Sequence, residues 1–250
     1  MNQLSIDKVT EFANENIVDF HRKRINSLEG LKLSKLLTKN PYLFKAKNIQ
    51  TANELIQGLL DAFLSSSEEK LFGDFLEDLA IYIASQTCGG HKSTAPGVDL
   101  EFENRGIYYI ISVKSGPNWG NSSQQSKLAE DLQKAAIRVK QYRHGNNTQP
   151  VLGICYGKTS TRYLRGYLKV VGQNFWYLIS ENQNLYTDII EPIGFRAKEH
   201  NEAFEIEKNK VTNKFTKLFI DRFCNEDGAI DWVRLVEFNS GNYDLDKFVS

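Results

Sequence analysis

The stretch GVDLEFENRGIYYIISVKSG, residues 97–116, places the tightest limit on what this chain can fold into. Residues 98–102 alternate strictly between apolar and polar side chains, and residues 107–114 are rich in β-branched and aromatic residues. Each segment therefore predicts a strand. A short polar segment that contains Gly106 separates the two strands, which favours a two-residue loop. The stretch predicts an antiparallel β-hairpin.

Polar side chains interrupt this apolar hairpin at Asp99, Ser112 and Lys114. With Arg105-Gly106 as the loop, Asp99 lies opposite Ser112. A loop one residue earlier shifts that partner by two residues and leaves Asp99 on the same face, because opposed residues share a face and side chains alternate along a strand. A three-residue loop would instead put Asp99 on the other face.

Two interpretations fit a carboxylate and an ammonium group on one face of such apolar strands. In the first, Asp99 and Lys114 form a half-buried ion pair, or the lysine is simply the exposed end of its strand. In the second, the aspartate binds Mg²⁺ and the lysine orients or activates water, with both groups facing a phosphate. The residues alone leave both interpretations open.

Helically spaced apolar residues precede the hairpin. Residues 5–85 predict helices that are interrupted by a turn at Asn40-Pro41. A capping-box pattern that opens at Thr51 predicts one helix start, and Ser67 predicts the N-cap of the next helix.

After the hairpin, the pattern alternates between helix and strand. Residues 122–143 predict a helix, residues 149–157 a short buried strand, residues 159–191 mainly strands, and residues 201–223 a helix. The order of elements around the hairpin is therefore helix, strand, strand, helix, strand.

Composition excludes several classes of protein. The chain has 250 residues, of which 41% are hydrophobic, and no stretch approaches the ~18 consecutive apolar residues of a membrane span. The N-terminus carries acids and no signal-peptide core, so we expect a cytoplasmic protein without membrane attachment. The three cysteines are scattered and odd in number, which favours a reducing compartment. The four histidines share no ligand spacing with them, which argues against structural zinc.

Charge is distributed unevenly, although the net charge is zero. Residues 117–172 contain nine Lys and Arg but only two acids, for a net charge of +7, so the rest of the chain carries −7. Such a segment is either a phosphate-facing surface or a solvated helix face, and charge alone does not separate these two interpretations.

Asp99, the hairpin and Ser112-Val113-Lys114 together resemble the PD-(D/E)XK nuclease motif, which has an aspartate on one strand and an acid-x-lysine on the next. Residues 96–99, PGVD, are similar to its proline-aspartate element, and the order of elements over about residues 68–157 resembles the family's core. The runs SVKSGPNWGNSSQQSKLAEDLQKA and YGKTSTRYLRGYLKV resemble type II restriction endonucleases, in particular the subgroup that cuts interrupted GG–CC palindromes.

This resemblance implies an α/β (α+β) fold with a restriction-endonuclease-like core, in which helices flank a mixed central sheet. It also implies Mg²⁺-dependent hydrolysis of phosphodiester bonds in a specific palindromic site of double-stranded DNA. Asp99 would hold the metal, and Lys114 would stabilise the developing negative charge or position the attacking water. A two-fold homodimer would cut both strands, and a cognate DNA methyltransferase would act on the same site without direct contact.

Ser112 departs from the family pattern, because it stands where an acid is expected in the catalytic motif. A hydroxyl is a poor ligand for Mg²⁺ beside carboxylates. The second metal-binding carboxylate would then be Glu101, which shares the face of Asp99, or Glu77, on a small-residue side of the preceding helix. The alternatives are a solvent-facing Glu77 and a metal held by Asp99, a backbone carbonyl and waters.

The predicted DNA contacts follow the motif and continue into the basic segment. Glutamines near the start of the next helix are suited to holding a phosphate or the lysine, or they are ordinary polar residues of a helix N-terminus. Basic residues after the last core strand are suited to contacts with guanine or phosphate. The predicted DNA-binding residues are Asn118, Gln124, Gln125, Lys127, Lys158, Arg162 and Arg165.

The chain is predicted to have three regions. Residues 1–66 form a helical region at the dimer interface, residues 67–157 form the nuclease core, and residues 158–250 form a recognition segment and C-terminal helices packed on the core. Two other functions stay open. One is a repair or junction-resolving nuclease of the same fold. The other, which Ser112 favours, is a DNA-binding regulator or degenerate nuclease that binds without cutting.

Overall fold

A computed structural model describes residues 1–142, 147–164, 166–241, 243, 244 and 247. The chain forms two compact units, residues 1–20 with 71–196 and residues 21–70 with 197–250. The three functional regions predicted from the sequence stay a prediction beside this structural division.

The helices and strands follow one another along the chain without long irregular connections. The helices are α1 (Ile6–Glu29), α2 (Leu33–Leu36), α3 (Pro41–Ala46), α4 (Ala52–Cys88), α5 (Ser122–Tyr142), α6 (Gln173–Ser180), α7 (Leu185–Asp188), α8 (Ile190–Ile193), α9 (Ala197–Phe223) and α10 (Trp232–Ser240). The strands are β1 (His91–Lys92), β2 (Leu100–Asn104), β3 (Ile107–Lys114), β4 (Asn147–Ile154), β5 (Arg162–Leu164) and β6 (Tyr167–Val171).

A six-stranded sheet in the order β1-β2-β3-β4-β6-β5 organises the first unit. The pairs β3–β4 and β4–β6 are parallel, and the other pairs are antiparallel. Helix α5 covers one face, while α1, α6 and the second half of α4 supply the core on the other. This arrangement confirms the predicted α/β class, with a mixed central sheet flanked by helices and helical additions at both ends of the chain.

The predicted hairpin has the loop Arg105-Gly106. Asn104 pairs with Ile107, so two residues connect the strands. Both loop residues have positive φ, 51° and 74°, as a type I′ turn requires. This turn twists in the same sense as the strands, which fixes the register of everything along β2 and β3.

The two faces of the hairpin pack against different helices. Leu100 and Ile111 are register partners and lie in the core shared with α4. Ile110, on the opposite face of β3, packs with Leu128 and Leu132 of α5. The sheet is therefore buried on both sides, and a polar group on it must be paired or lie at its edge.

Two boundaries differ from the sequence prediction. The predicted helix start at Ser67 is wrong, because α4 runs unbroken; the hydroxyl of Ser66 instead donates to the carbonyl of Ala62, 3.2 Å away, one turn back. The strand prediction over residues 159–191 is half wrong, because β6 ends at Val171 and the rest of that range contains the helices α6 and α7 and the start of α8. The apolar residues at 175, 176 and 179 have helical spacing and are buried.

The second unit is helical and has its own core. Residues from α1, α2, α3, α4, α9 and α10 contribute, with Ile56, Leu60 and Phe219 among the fully buried side chains. The predicted turn at Asn40-Pro41 is the start of α3, where Asn40 accepts hydrogen bonds from the next two available backbone N–H groups. Throughout the described part of the chain, no helix combines the length and apolar character of a membrane span.

Gly153 in β4 gives a test of the packing behind the sheet. A Cβ atom there would lie 2.3 Å from Cε2 of the fully buried Phe175. We expect Gly153→Ala to lower the free energy of unfolding by about 1–3 kcal/mol, because the ring or the strand must shift. Urea denaturation followed by circular dichroism measures the change.

Gly58→Ala in α4 is the matched control. A Cβ atom there would lie 3.5 Å from Cε1 of Phe44, an ordinary contact. Since glycine is a poor helix former, this variant should be neutral or more stable than the parent by up to ~1 kcal/mol. Equal stability of Gly153→Ala and the parent would contradict the packing described above.

Candidate active site

The candidate site lies where β3 and β4 end side by side. Lys114 is the last residue of β3 and the register partner of Ile154 at the end of β4. Asp99 comes just before β2, and its backbone N–H donates to the carbonyl of Ile111, 2.9 Å away. The carboxyl ends of parallel strands are a common position for ligand sites in α/β sheets.

One carboxylate oxygen of Asp99 accepts two hydrogen bonds from β3. This oxygen, Oδ2, accepts hydrogen bonds from the backbone N–H of Val113 at 2.6 Å and from Oγ of Ser112 at 3.1 Å. The orientation of the carboxylate is therefore set by the hairpin itself.

Lys114 forms a half-buried ion pair with Asp99. Its Nζ lies 3.7 Å from Oδ2 of Asp99, with the two side chains 30% and 20% exposed. The same Nζ donates to the carbonyl of Val113 at 2.9 Å and lies 5.9 Å from the centre of the Trp119 ring. The structure thus brings the predicted carboxylate and ammonium groups together and leaves both accessible to a ligand.

Ser112 is 1% exposed, and its hydroxyl donates to Asp99. The serine therefore takes part in the site as a hydrogen-bond donor that orients the aspartate. This role differs from that of the acid which the family pattern places at this position.

Glu77 reaches the same region from α4. Burial, and then the Asp99 carboxylate, raise the pKa of Glu77, while Lys92 opposes this shift from 3.3 Å. The helix lies close to the end of β3 here, since a Cβ on Gly73 would be 3.6 Å from Oγ of Ser115. The two carboxylates of Asp99 and Glu77 therefore repel each other across the site.

Both carboxylate oxygens of Glu101 are already hydrogen-bonded. Oε1 accepts from the hydroxyl of Ser93, and Oε2 accepts from the hydroxyl of Tyr108 at 2.6 Å. The backbone N–H of Ser93 also donates to the carbonyl of Asp99 at 3.1 Å. In this arrangement Glu101 holds the segment that leads into Asp99.

The fit of these residues to Mg²⁺ rests on Asp99 and Glu77. Within the described ranges, no three His, Cys, Asp or Glu side chains gather as a metal-binding cluster. Hard oxygen ligands are nevertheless what Mg²⁺ prefers, and it keeps several waters beside one or two carboxylates. A cation between two mutually repelling carboxylates would relieve the repulsion that raises the pKa of Glu77.

The predicted glutamines cap α5. The side-chain oxygen of Gln124 accepts from the backbone N–H of Asn121 at 2.9 Å, and Oδ1 of Asn121 accepts from the N–H of Gln124 at 3.0 Å. This reciprocal pair is a capping box. Gln125 donates to the carbonyl of Gly120 at 3.1 Å. Both glutamines are exposed, and their predicted contacts with DNA stay predictions.

Four of the remaining predicted DNA-binding residues lie on the surface. Asn118, Lys158 and Arg162 are exposed, and Lys127 is paired with Asp131 at 3.5 Å. Arg165 lies outside the described residues.

Sequence reasoning missed three residues that complete the surroundings of the site. Lys92 pairs with Glu77, as described above. The thiol of Cys155 is buried, and its pKa is raised by burial and by Glu77, with Lys114 opposing. Tyr156 is 54% exposed, and a Cβ on Gly116 would meet its hydroxyl at 2.7 Å. Of these three residues, only Tyr156 has a signal in the sequence, which is Gly116, because a glycine allows such a close approach.

A comparison with known protein families gives a match over most of the chain. A family model described as type II restriction endonuclease EcoO109I matches residues 7–201, a range that includes every site residue discussed above. No curated protein matches the chain.

Proposed function

The chain belongs to the EcoO109I family of type II restriction endonucleases, and from this premise we propose that it hydrolyses phosphodiester bonds at a specific, palindromic site in double-stranded DNA with the help of Mg²⁺. The Asp99–Lys114 pair at the ends of adjacent strands carries the proposal, because it lies within the matched range and brings the two side chains within 3.7 Å, as a PD-(D/E)XK-type site would require.

Lys114 acts on the reacting phosphate in this proposal. Hydrolysis needs a nucleophilic water, stabilisation of the negative charge that develops around phosphorus, and help for the leaving 3′ oxygen. An ammonium group fixed at the strand end and only partly exposed is suited to stabilising that charge or to positioning the water. Its 3.7 Å distance from Asp99 keeps the two groups in one reaction centre.

Asp99 and Glu77 would hold the metal. Bound there, Mg²⁺ would supply Lewis acidity and lower the pKa of a coordinated water. Ser112 and the N–H of Val113 orient Asp99 through Oδ2, and Lys92 holds Glu77 through Oε1.

Partners and location follow from the same proposal. Cutting both strands of a palindrome calls for a two-fold homodimer, for which the helical N-terminal region and C-terminal helices are the proposed interface. A methyltransferase acting on the same site would protect host DNA. We place the enzyme in the cytoplasm, where its DNA substrate lies and where the three free cysteines suit a reducing environment.

Ser112 favours a second candidate function, in which the protein binds DNA without cutting it. The serine removes a metal-binding acid from the motif and leaves the Asp99–Lys114 ion pair intact. A plasmid-nicking assay with and without Mg²⁺ separates the two functions, since only the nuclease converts supercoiled DNA in the presence of the metal. Discrete fragments from a long duplex then identify a restriction enzyme, whereas a smear indicates a nonspecific nuclease.

Lys114→Ala tests the reaction centre. We expect loss of Mg²⁺-dependent cleavage, because the charge that stabilises the reacting phosphate is gone. DNA binding should stay within about tenfold of the parent, or roughly 1.4 kcal/mol. Cleavage assays and fluorescence anisotropy measure the two effects. Lost binding together with a lowered melting temperature would mean that Lys114 stabilises the fold through its ion pair with Asp99.

Glu77→Gln tests the second carboxylate. Since a lone carboxylate holds Mg²⁺ weakly, cleavage should fall substantially at limiting Mg²⁺ and recover partly in excess Mg²⁺ or in Mn²⁺. The fold should be retained, as judged by circular dichroism. Metal titrations of the cleavage rate measure the effect.

Glu101→Gln is the matched control, because it removes the same charge from the rival ligand. The carboxylate oxygens of Glu101 accept hydrogen bonds from Ser93 and Tyr108, so we expect the cleavage rate to depend on metal concentration as in the parent. If Glu101→Gln fails while Glu77→Gln cleaves like the parent at every metal concentration, the second ligand is Glu101. If both cleave like the parent, Asp99 and backbone oxygens hold the metal alone.

A further inference from the structure

Two cations face each other at the edge of the sheet. Arg162 on β5 is the direct register partner of Lys169 on β6, and Lys169 pairs in turn with Leu152 on β4. Register partners point to the same face, so both cations lie on the face of Leu152, which α5 covers. Like charges placed directly opposite each other destabilise a strand pair.

Nearby acids do not offset these two charges. In residues 117–172 the acids are Asp131 and Glu130, which pair with Lys127 at 3.5 Å and with Lys134 at 3.2 Å. Across the described ranges, neither Arg162 nor Lys169 forms an ion pair with a carboxylate. The pair therefore carries two uncompensated positive charges.

The fold holds this pair together. Oγ1 of Thr161 accepts from the backbone N–H of Val171 at 3.2 Å and from the side chain of Asn174 at 3.1 Å, which ties the start of β5 to the end of β6. Burial, and then Arg162, lower the pKa of Lys169, as expected for an ammonium group that gains nothing from its surroundings in the absence of an anion.

Protection of a sheet edge does not account for both residues. A charge on an edge strand discourages pairing with another chain, and this would explain Arg162 on β5. Lys169 lies on β6, which has β4 on one side and β5 on the other. A second cation on this inner strand, facing the first, points to an anion that both bind.

We propose that Arg162 and Lys169 together bind one backbone phosphate of the DNA at a position outside the reaction centre. The proposal rests on the proposed function. Guanidinium and ammonium groups both suit phosphate oxygens, and a bound phosphate converts their repulsion into two attractive contacts. This site would add a phosphate-binding role for Lys169 and pair it with Arg162.

The position of the pair suits a flanking phosphate. Ser112, Leu152, Lys169 and Arg162 lie in one row across the sheet. Lys169 is two strand spacings from Ser112, which is about 10 Å. That separation favours a phosphate other than the reacting one, because duplex DNA offers a charge about every 1.7 Å along its axis.

The test compares Arg162→Gln, Lys169→Gln and the double variant with the parent. Anisotropy of a labelled, mixed-sequence duplex of roughly 30 base pairs, in EDTA and between about 50 and 200 mM NaCl, gives affinity and salt slope. We expect each single variant to bind about tenfold more weakly and to lower the slope by about 0.9, the value for one phosphate. The double variant should lower the slope no further, because both residues hold the same phosphate.

The melting temperatures of the variants distinguish a phosphate-binding pair from a pair that stabilises the fold. Removing one of two repelling cations should leave the melting temperature unchanged or raise it. Lys134→Gln is the control, since it removes one charge from a lysine already paired with Glu130 and should change affinity far less. Affinities like that of the parent, losses no larger than the control's, or lowered melting temperatures in both single variants would overturn the proposal.

The parent protein distinguishes this failure from that of the proposed function. If the parent cuts DNA while both single variants bind as tightly as it does, only the phosphate pair is overturned. If the parent neither binds nor cuts DNA, the proposed function and the phosphate pair fall together.

Discussion

The register of the β2–β3 hairpin is the constraint on which the candidate site depends. A two-residue loop with positive φ at Arg105 and Gly106 sets Asp99 opposite Ser112 and within reach of the N–H of Val113. A slip of one residue would send the aspartate to the face of α4 and break both hydrogen bonds to its carboxylate. One local turn therefore decides whether Asp99 and Lys114 meet at all.

Much of the fold could be predicted because its signals are local. Strict alternation over residues 98–102 and the β-branched run over 107–114 specify strands, and Arg105-Gly106 is one of the two two-residue loops that the sequence allows. The secondary-structure predictions failed at positions where tertiary packing determines whether a helix or strand begins, continues or ends. Three serines at 65–67 resemble a helix start, yet the helix continues through them. The apolar run over 167–180 divides into strand and helix at Gly172, which adopts a φ of 56° between the two elements.

The residues of the hairpin were the easiest part of the candidate site to predict, and Glu77 was predicted only as one of two candidate ligands. Asp99, Ser112 and Lys114 share one short segment, so strand periodicity together with a two-residue loop places them together. Glu77 is coupled to Asp99 from a separate helix, and its position depends on small residues that let α4 approach the sheet. Lys92 and Cys155 become neighbours of the site through strand pairing and burial, which leave no pattern in the sequence. The family match covers these residues as well, but the role of each still depends on geometry.

The ion pairs of the site leave a small excess of negative charge. Asp99 with Lys114, and Glu77 and Asp78 with Lys92, amount to three negative and two positive charges, so this group carries one negative charge in excess. A divalent cation added to such a group leaves one positive charge in excess, and an approaching phosphodiester offsets it. Under the proposed function, metal and DNA then bind with positive coupling. Because such coupling is reciprocal, the metal tightens DNA binding by the same factor by which DNA tightens metal binding.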